Sequence, residues 1–256
     1  MVYYKKGERV EYLDPDKTYF MPDDIGFGTF LCYNNMFSTE ELAINEIWKK
    51  VYVEDKYRHL SFVDIGANVG TYTIELAPYF EHTYAFEPDI HVYNILCGNI
   101  ALHNLSYKTT LINKPLSNKV ETVSFNKFNE LGGESLCVSK DDNRSSIFLN
   151  MYGNVTGIQS SLMETVTLDS YGLDNVGLIK IDVEGFELNV LKGATETILK
   201  SGNPILLVES WDVQESDTDT VREEKESLRK ELFGYLESIG YNNHKRLVND
   251  LFMVTV

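Results

Sequence analysis

The chain has 256 residues, 43% hydrophobic and 12% aromatic, a size and composition that suit one α/β domain with a sizeable core and argue against disorder. Its formal net charge of −16 argues against wrapping a phosphate backbone or lying on an anionic membrane, so no nucleic-acid partner is expected. No run reaches the roughly 18 apolar residues of a membrane span, and Met1 begins no signal peptide. Cys32, Cys97 and Cys137 show no metal-type spacing, so reduced thiols and a cytoplasmic setting are expected.

Residues 1–37 are rich in aromatics interrupted by Pro15, Pro22, Gly26 and Gly28, and read as an extension covering the core or the active site. Ser38-Thr39-Glu40-Glu41 reads as a helix start, with Leu42, Ile44, Ile47, Trp48 and Val51 as its apolar face; the main domain is expected over 38–256. Strand and helix then alternate, which predicts a parallel sheet covered on both faces. The expected strands are 61–65, 83–86, 108–113, 178–183 and 205–208, with short ones near 245–248 and 250–256. The expected helices are 70–79, 89–103 (Ile95, Ile100 and Leu102 inward), one through Leu188, Leu191, Ala194 and Ile198 ended by Gly202, and 221–239. The stretch 118–176 fits no βα repeat and reads as a β-rich insertion above the sheet, a usual place for substrate selectivity. Asp212 to Glu226 is acidic, and reads as a mobile loop or a solvated helix start.

The run Phe62-Val63-Asp64-Ile65-Gly66-Ala67-Asn68-Val69-Gly70-Thr71 places an acidic residue at a strand end before a glycine turn that opens a helix. Roughly 20 residues on, the spacing of a nucleotide-binding βαβ unit, a second strand ends in Glu87, whose carboxylate can accept both hydroxyls of a ribose. The third close glycine of a dinucleotide turn is missing, and a carboxylate beside the turn would repel a pyrophosphate but suit a cationic ligand. S-adenosylmethionine, with a sulfonium and an ammonium, meets that description. Asp64, Gly66, Asn68, Gly70 and Thr71 are expected around its methionine part, Glu87 on its ribose and Ser117 at its adenine edge; Asn68 is equally a helix-capping residue.

An alcohol is a poor nucleophile until its proton is removed, so transfer to oxygen calls for a general base or a metal. Asp182 is expected at the tip of the fourth strand, facing both cofactor and acceptor, with Glu184 near it and Glu209 ending the fifth strand. Mutual repulsion among Asp182, Glu184 and Glu209 would raise one pKa toward that of a useful base. Glu187, in a first helical turn, reads as structural. Asp182, Glu209 and Asp212 are also the ligand type that holds Mg²⁺; the spacing is weak support, and the reading without a metal is preferred. Lys180, inside an apolar strand, must reach a carboxylate. Trp211 is available to stack on a sugar or to cover the core, and His82 and His103 read as polar surface.

These segments resemble the FkbM family of S-adenosylmethionine-dependent methyltransferases. The resemblance is carried by Val63 to Gly70, by Ala85-Phe86-Glu87-Pro88, and above all by Val166-Thr167-Leu168-Asp169-Ser170-Tyr171 followed by Ile179-Lys180-Ile181-Asp182-Val183-Glu184-Gly185-Phe186-Glu187. It implies a Rossmann-like sheet of order 3-2-1-4-5-7-6 with the last strand antiparallel, and methyl transfer to a hydroxyl, best placed on a sugar of a glycan or glycolipid. The rivals are a non-sugar alcohol or a protein as acceptor, a non-catalytic binding module retaining the fold, and a nucleotide-sugar oxidoreductase, which would need the missing glycine and a Tyr-x-x-x-Lys pair not found here.

Overall fold

In a strand at the centre of a parallel sheet both faces meet helices, so every position is buried. Strand β1 (Ser61–Ile65) is buried throughout, and pairs in parallel with β2 (His82–Phe86) on one side and β7 (Val176–Ile181) on the other. The computed structural model describes residues 43–44, 46–47, 55–128, 135–138, 158–248 and 250–256. With β3 (Thr109–Ile112), β8 (Ile205–Glu209), β9 (Asn243–Val248) and β10 (Leu251–Thr255), the central sheet has seven strands in the order β3-β2-β1-β7-β8-β10-β9. Counted within this sheet alone, that is 3-2-1-4-5-7-6. β10 runs antiparallel to both its neighbours.

Alternation along the strands divides the core. Phe62, Leu178 and Leu207 face one side with Ile74, Leu96 and Ile100; Val63, Ile65, Ile179, Ile181, Leu206 and Val208 face the other with Val190, Leu191 and Leu232. From residue 55 on, the described α-helices are α1 (Thr71–Leu76), α2 (Ile90–Leu102), α3 (Glu187–Lys192), α4 (Thr195–Lys200) and α5 (Asp219–Ser238). Asp89 caps α2 and Thr218 caps α5, each accepting backbone N–H bonds at the helix start. Among the described residues no helix is long and apolar enough to cross a membrane.

Four expectations change. The helix at 70–79 tightens into a 3₁₀ turn at Ala77–Tyr79 around Pro78, whose ring cannot continue the α-helical ladder. Leu102, expected inward, is 41% exposed, and the buried face of α2 is instead Val92, Leu96, Asn99 and Ile100. The single helix expected through Leu188 and Ile198 is two, α3 and α4, broken at Gly193 and Ala194. The cause lies outside the segment: a Cβ on Gly193 would stand 2.0 Å from the carbonyl oxygen of Ser117. The Asp169 carboxylate meanwhile accepts the orphan N–H groups of Glu196 (3.2 Å) and Thr197 (2.8 Å) at the new helix start. Within Asp212 to Glu226, loop gives way to helix at Asp219, and Val221 and Lys225 are buried, which corrects the fully solvated reading.

The stretch after β3 forms a three-stranded antiparallel sheet, β5-β4-β6, from β4 (Thr122–Phe128), β5 (Ser135–Val138) and β6 (Ile158–Glu164). Val123 and Phe125 of β4 pack on Val183 and Phe186 beyond β7. Two residues on, Lys127 pairs with Asp89 at 3.2 Å, so β4 bridges the loop after β7 to the loop after β2. Residues 1–37, the Gly132-Gly133 and Lys140–Arg144 turns, and most of the helix expected from Ser38 lie outside the described residues; Ala43, Ile44 and Ile47 of that helix are buried.

Candidate active site

Strand parity decides where the glycine turn is held. Asp64 shares the face of Phe62, and Lys180 that of Leu178, so both side chains point at α1. There the Thr73 hydroxyl donates to Asp64 Oδ2 at 2.5 Å. Lys180 Nζ donates to the Gly66 carbonyl at 2.8 Å, pairs with Asp182 at 3.1 Å, and lies 3.8 Å from Asp64 Oδ1 and 5.2 Å from the centre of the Tyr72 ring. The expectation that Lys180 reaches a carboxylate holds. Asp64 itself is fully buried beneath the turn. Burial pushes its pKa up, and Lys180 and the Thr73 bond oppose the rise. Asp64 Oδ1 has no hydrogen-bond partner among the described residues.

The turn needs its glycines for space as well as conformation. Gly66, at φ 75°, lies so close to β7 that a Cβ would stand 1.8 Å from the Asp182 carbonyl oxygen; Gly70, at φ 96°, would meet Leu96 at 2.6 Å. Gly70 starts α1 with no side-chain cap, so Asn68 does not cap that helix. Asn68 is exposed at φ 51°, and its N–H donates to Glu87 Oε2 at 3.0 Å. Glu87 Oε1 accepts from the Asp89 N–H at 2.8 Å. Only 6% exposed, Glu87 has its pKa pushed up to about 7, with burial the larger cause and the two backbone bonds opposing it. Each oxygen keeps a second lone pair for a donating hydroxyl, which fits the ribose role. Thr71 is buried at the start of α1. Ser117 is also fully buried, with its Oγ 3.2 Å from Asn118 Oδ1, packed beneath Gly193 instead of opening onto a crevice.

Past the tips of β7 and β8, oxygens of Asp182, Glu184 and Glu209 lie within 4.8 Å of one another. Glu209 is held well above the usual carboxylate range, first by burial and then by repulsion from Asp182, Glu184, Glu187 and Asp250; its Oε2 has no hydrogen-bond partner among the described residues. Glu187, read as structural, ties the turn together: its Oε1 accepts from Val183 (3.1 Å) and Gly185 (3.0 Å). Burial pushes its pKa up to about 7. Asp212 stands apart from this group, with its carboxylate paired to Arg229 at 3.1 Å and to Arg246. The Asp182, Glu209 and Asp212 set for Mg²⁺ is therefore not assembled. Trp211 is 7% exposed, its ring lies on Gly185 and its Nε1 donates to Glu184 Oε2 at 3.3 Å, so it is no open platform for a sugar. His82 bonds Thr110 at 2.8 Å on the exposed edge, away from the carboxylates. Sequence reasoning missed the Lys180 bond to the Gly66 carbonyl and the part played by Arg229, whose partners are distant in the chain.

A family model described as Methyltransferase FkbM domain matches residues 64–242. Methyltransferase sdnD of Sordaria araneosa is 23% identical over 233 residues, covering 80% of this chain and 85% of that protein. Among solved structures, the chain resembles a SAM-dependent methyltransferase from Aquifex aeolicus (TM-score 0.45, 13% identity, 80% of this chain and 86% of that one). It also resembles precorrin-6y C5,15-methyltransferase from Geobacter metallireducens (TM-score 0.42, 12% identity, 82% and 86%). The family match takes in the glycine turn, Glu87, the turn from Asp182 to Glu187 and Glu209, and it spans most of the chain: this protein belongs to the FkbM family of S-adenosylmethionine-dependent methyltransferases.

Proposed function

We propose that the protein methylates a hydroxyl oxygen of a sugar carried on a glycan or glycolipid. The observation that supports this most is the trio Asp182, Glu184 and Glu209, three acceptor-only groups crowded past two adjacent strand tips, one of them with raised proton affinity. When bound, S-adenosylmethionine supplies an electrophilic methyl group on a sulfonium. Glu87 accepts the ribose hydroxyls; the turn of Gly66, Asn68, Gly70 and Thr71 receives the methionine part, with Asp64 fixing that turn from below. Glu209 takes the proton of the reacting hydroxyl, and Asp182 and Glu184 accept from neighbouring hydroxyls, which holds the acceptor oxygen in line. Carboxylates so placed favour neutral, hydroxyl-rich acceptors over phosphorylated ones. The odd number of cysteines, three in the chain, leaves at least one unpaired within it, which suits a reducing, cytoplasmic setting.

The test is mass spectrometry of a panel of oligosaccharides, glycolipids and non-sugar alcohols incubated with enzyme and isotope-labelled methyl donor. Label on a sugar oxygen is expected, and turnover should persist in excess chelator. Label confined to non-sugar alcohols or to protein removes the sugar reading. Asp182→Asn should bind S-adenosylmethionine with nearly unchanged affinity by calorimetry yet lose about 10²-fold or more in kcat; full activity would take Asp182 off the catalytic list.

A further inference from the structure

Three carboxylates this close repel one another, yet Glu184, half-buried, stays in the group. Something must keep Glu184 in the group. Its backbone sits at φ 54°, in the left-handed region that costs a non-glycine residue free energy, and Gly185 follows at φ 89°. Gly185 is covered by the Trp211 indole so closely that a Cβ there would stand 2.7 Å from the ring. From that seat Trp211 Nε1 donates to Glu184 Oε2 at 3.3 Å.

Trp211 is held in turn from α5. The Arg229 guanidinium donates to the carbonyls of Ser210 (2.9 Å) and Trp211 (3.0 Å), to Ser210 Oγ (3.3 Å) and to Asp212 Oδ1 (3.1 Å). One turn earlier, buried Lys225 donates to the Asp212 carbonyl at 3.0 Å and to the Asp217 carboxylate at 2.9 Å. A planar fork with five donors matches such a cluster of carbonyls in a way a lysine ammonium cannot.

We propose that Trp211 and Arg229 are positioning residues for methyl transfer: Arg229 fixes the backbone of Trp211, and Trp211 keeps the Glu184 carboxylate turned toward Asp182 and Glu209. This rests on the reading of those carboxylates as the groups that handle the acceptor hydroxyl. Among the described residues, the charged groups facing them are Asp182 beyond β7, Glu209 of β8, Glu187 of α3 and Asp250 before β10, with Lys180 behind Asp182.

Kinetics and fluorescence test the proposal separately. Trp211→Phe keeps an aromatic ring on Gly185 and removes the N–H. It should lower kcat by about tenfold and leave the KM for S-adenosylmethionine within about twofold. The acid limb of the kcat profile should also move to lower pH, because Glu209 loses a repelling neighbour when Glu184 turns away. Arg229→Lys should shift the same quantities in the same directions. An unchanged kcat, or a limb unmoved or moved to higher pH, would overturn the proposal. The second arm needs no acceptor. With Trp48→Phe, Trp211 is the remaining tryptophan, and its emission should step as rising pH ionises Glu209, whose proton is held above the usual carboxylate range. Adding Arg229→Met should abolish the step. A flat emission with Arg229 in place, or a step unaltered by its loss, overturns the positioning role even if no sugar is methylated; a step that depends on Arg229 sustains it while the acceptor reading stands or falls on the glycan panel.

Discussion

With the ribose on Glu87, as proposed, two influences pull its protonation in opposite directions. Burial lifts its pKa to about 7, whereas ribose hydroxyls, as donors, favour the ionised form. Binding of S-adenosylmethionine below neutrality should therefore release a proton, and affinity should rise as pH climbs from about 6 to 8. Calorimetry in buffers of different ionisation enthalpy measures that release directly, and no uptake or release near pH 6 would place the ribose elsewhere. Glu87→Gln should weaken binding by about tenfold or more. Lys180 makes the complementary case. Removing it in Lys180→Met leaves Asp64 buried without its cation, a loss of about 3–5 kcal/mol by urea denaturation at neutral pH. The deficit should shrink in mild acid, because Asp64 is then protonated and no longer needs a partner.

The elements were legible to the degree that their causes were local. The strands announce themselves as short apolar runs, and β1 and β8 fall within a residue of expectation because β1 is buried throughout and β8 at all but its last residue. The break between α3 and α4 was not legible, since Leu188, Leu191, Ala194 and Ile198 keep helical spacing across it. What breaks the helix is the carbonyl of Ser117 and the carboxylate of Asp169, both supplied by other segments. Gly193→Ala should accordingly destabilise the protein by about 1–3 kcal/mol, read as a fall in urea midpoint with unchanged slope. A neutral result would mean that the Ser117 loop can retreat. The site was legible in the same uneven way. Glycines, Glu87 and Asp182 show in motif spacing; the hold of Arg229 on Trp211 and the burial of Ser117 do not, because tertiary packing alone creates them.

Across the whole molecule, five buried or half-buried acidic groups act in the same direction. Asp64, Glu87, Glu187, Glu209 and Asp250 all have pKa values raised chiefly by burial. The folded state thus holds more protons than the unfolded chain from about pH 4.5 to 7, and stability falls as pH rises through that window. Glu87 alone accounts for about 3 kcal/mol of that decline. Melting temperature should be higher near pH 5.5 than at pH 8, and saturating S-adenosylmethionine should flatten the slope; a protein most stable at pH 8 would contradict the burial of these groups as charges without full compensation.

The sheet also has a consequence for biosynthesis. Its central seam joins Ser61 to Val176 and Ile65 to Ile181, so the two halves of the sheet meet only after the whole insertion has been translated. Until then a nascent chain on the ribosome presents β1 with an unpaired backbone edge and the apolar Phe62, Val63 and Ile65 uncovered. A truncation ending before Val176 should therefore precipitate or be captured by chaperones, while co-expressing the missing C-terminal portion should rescue solubility by supplying β7 in trans.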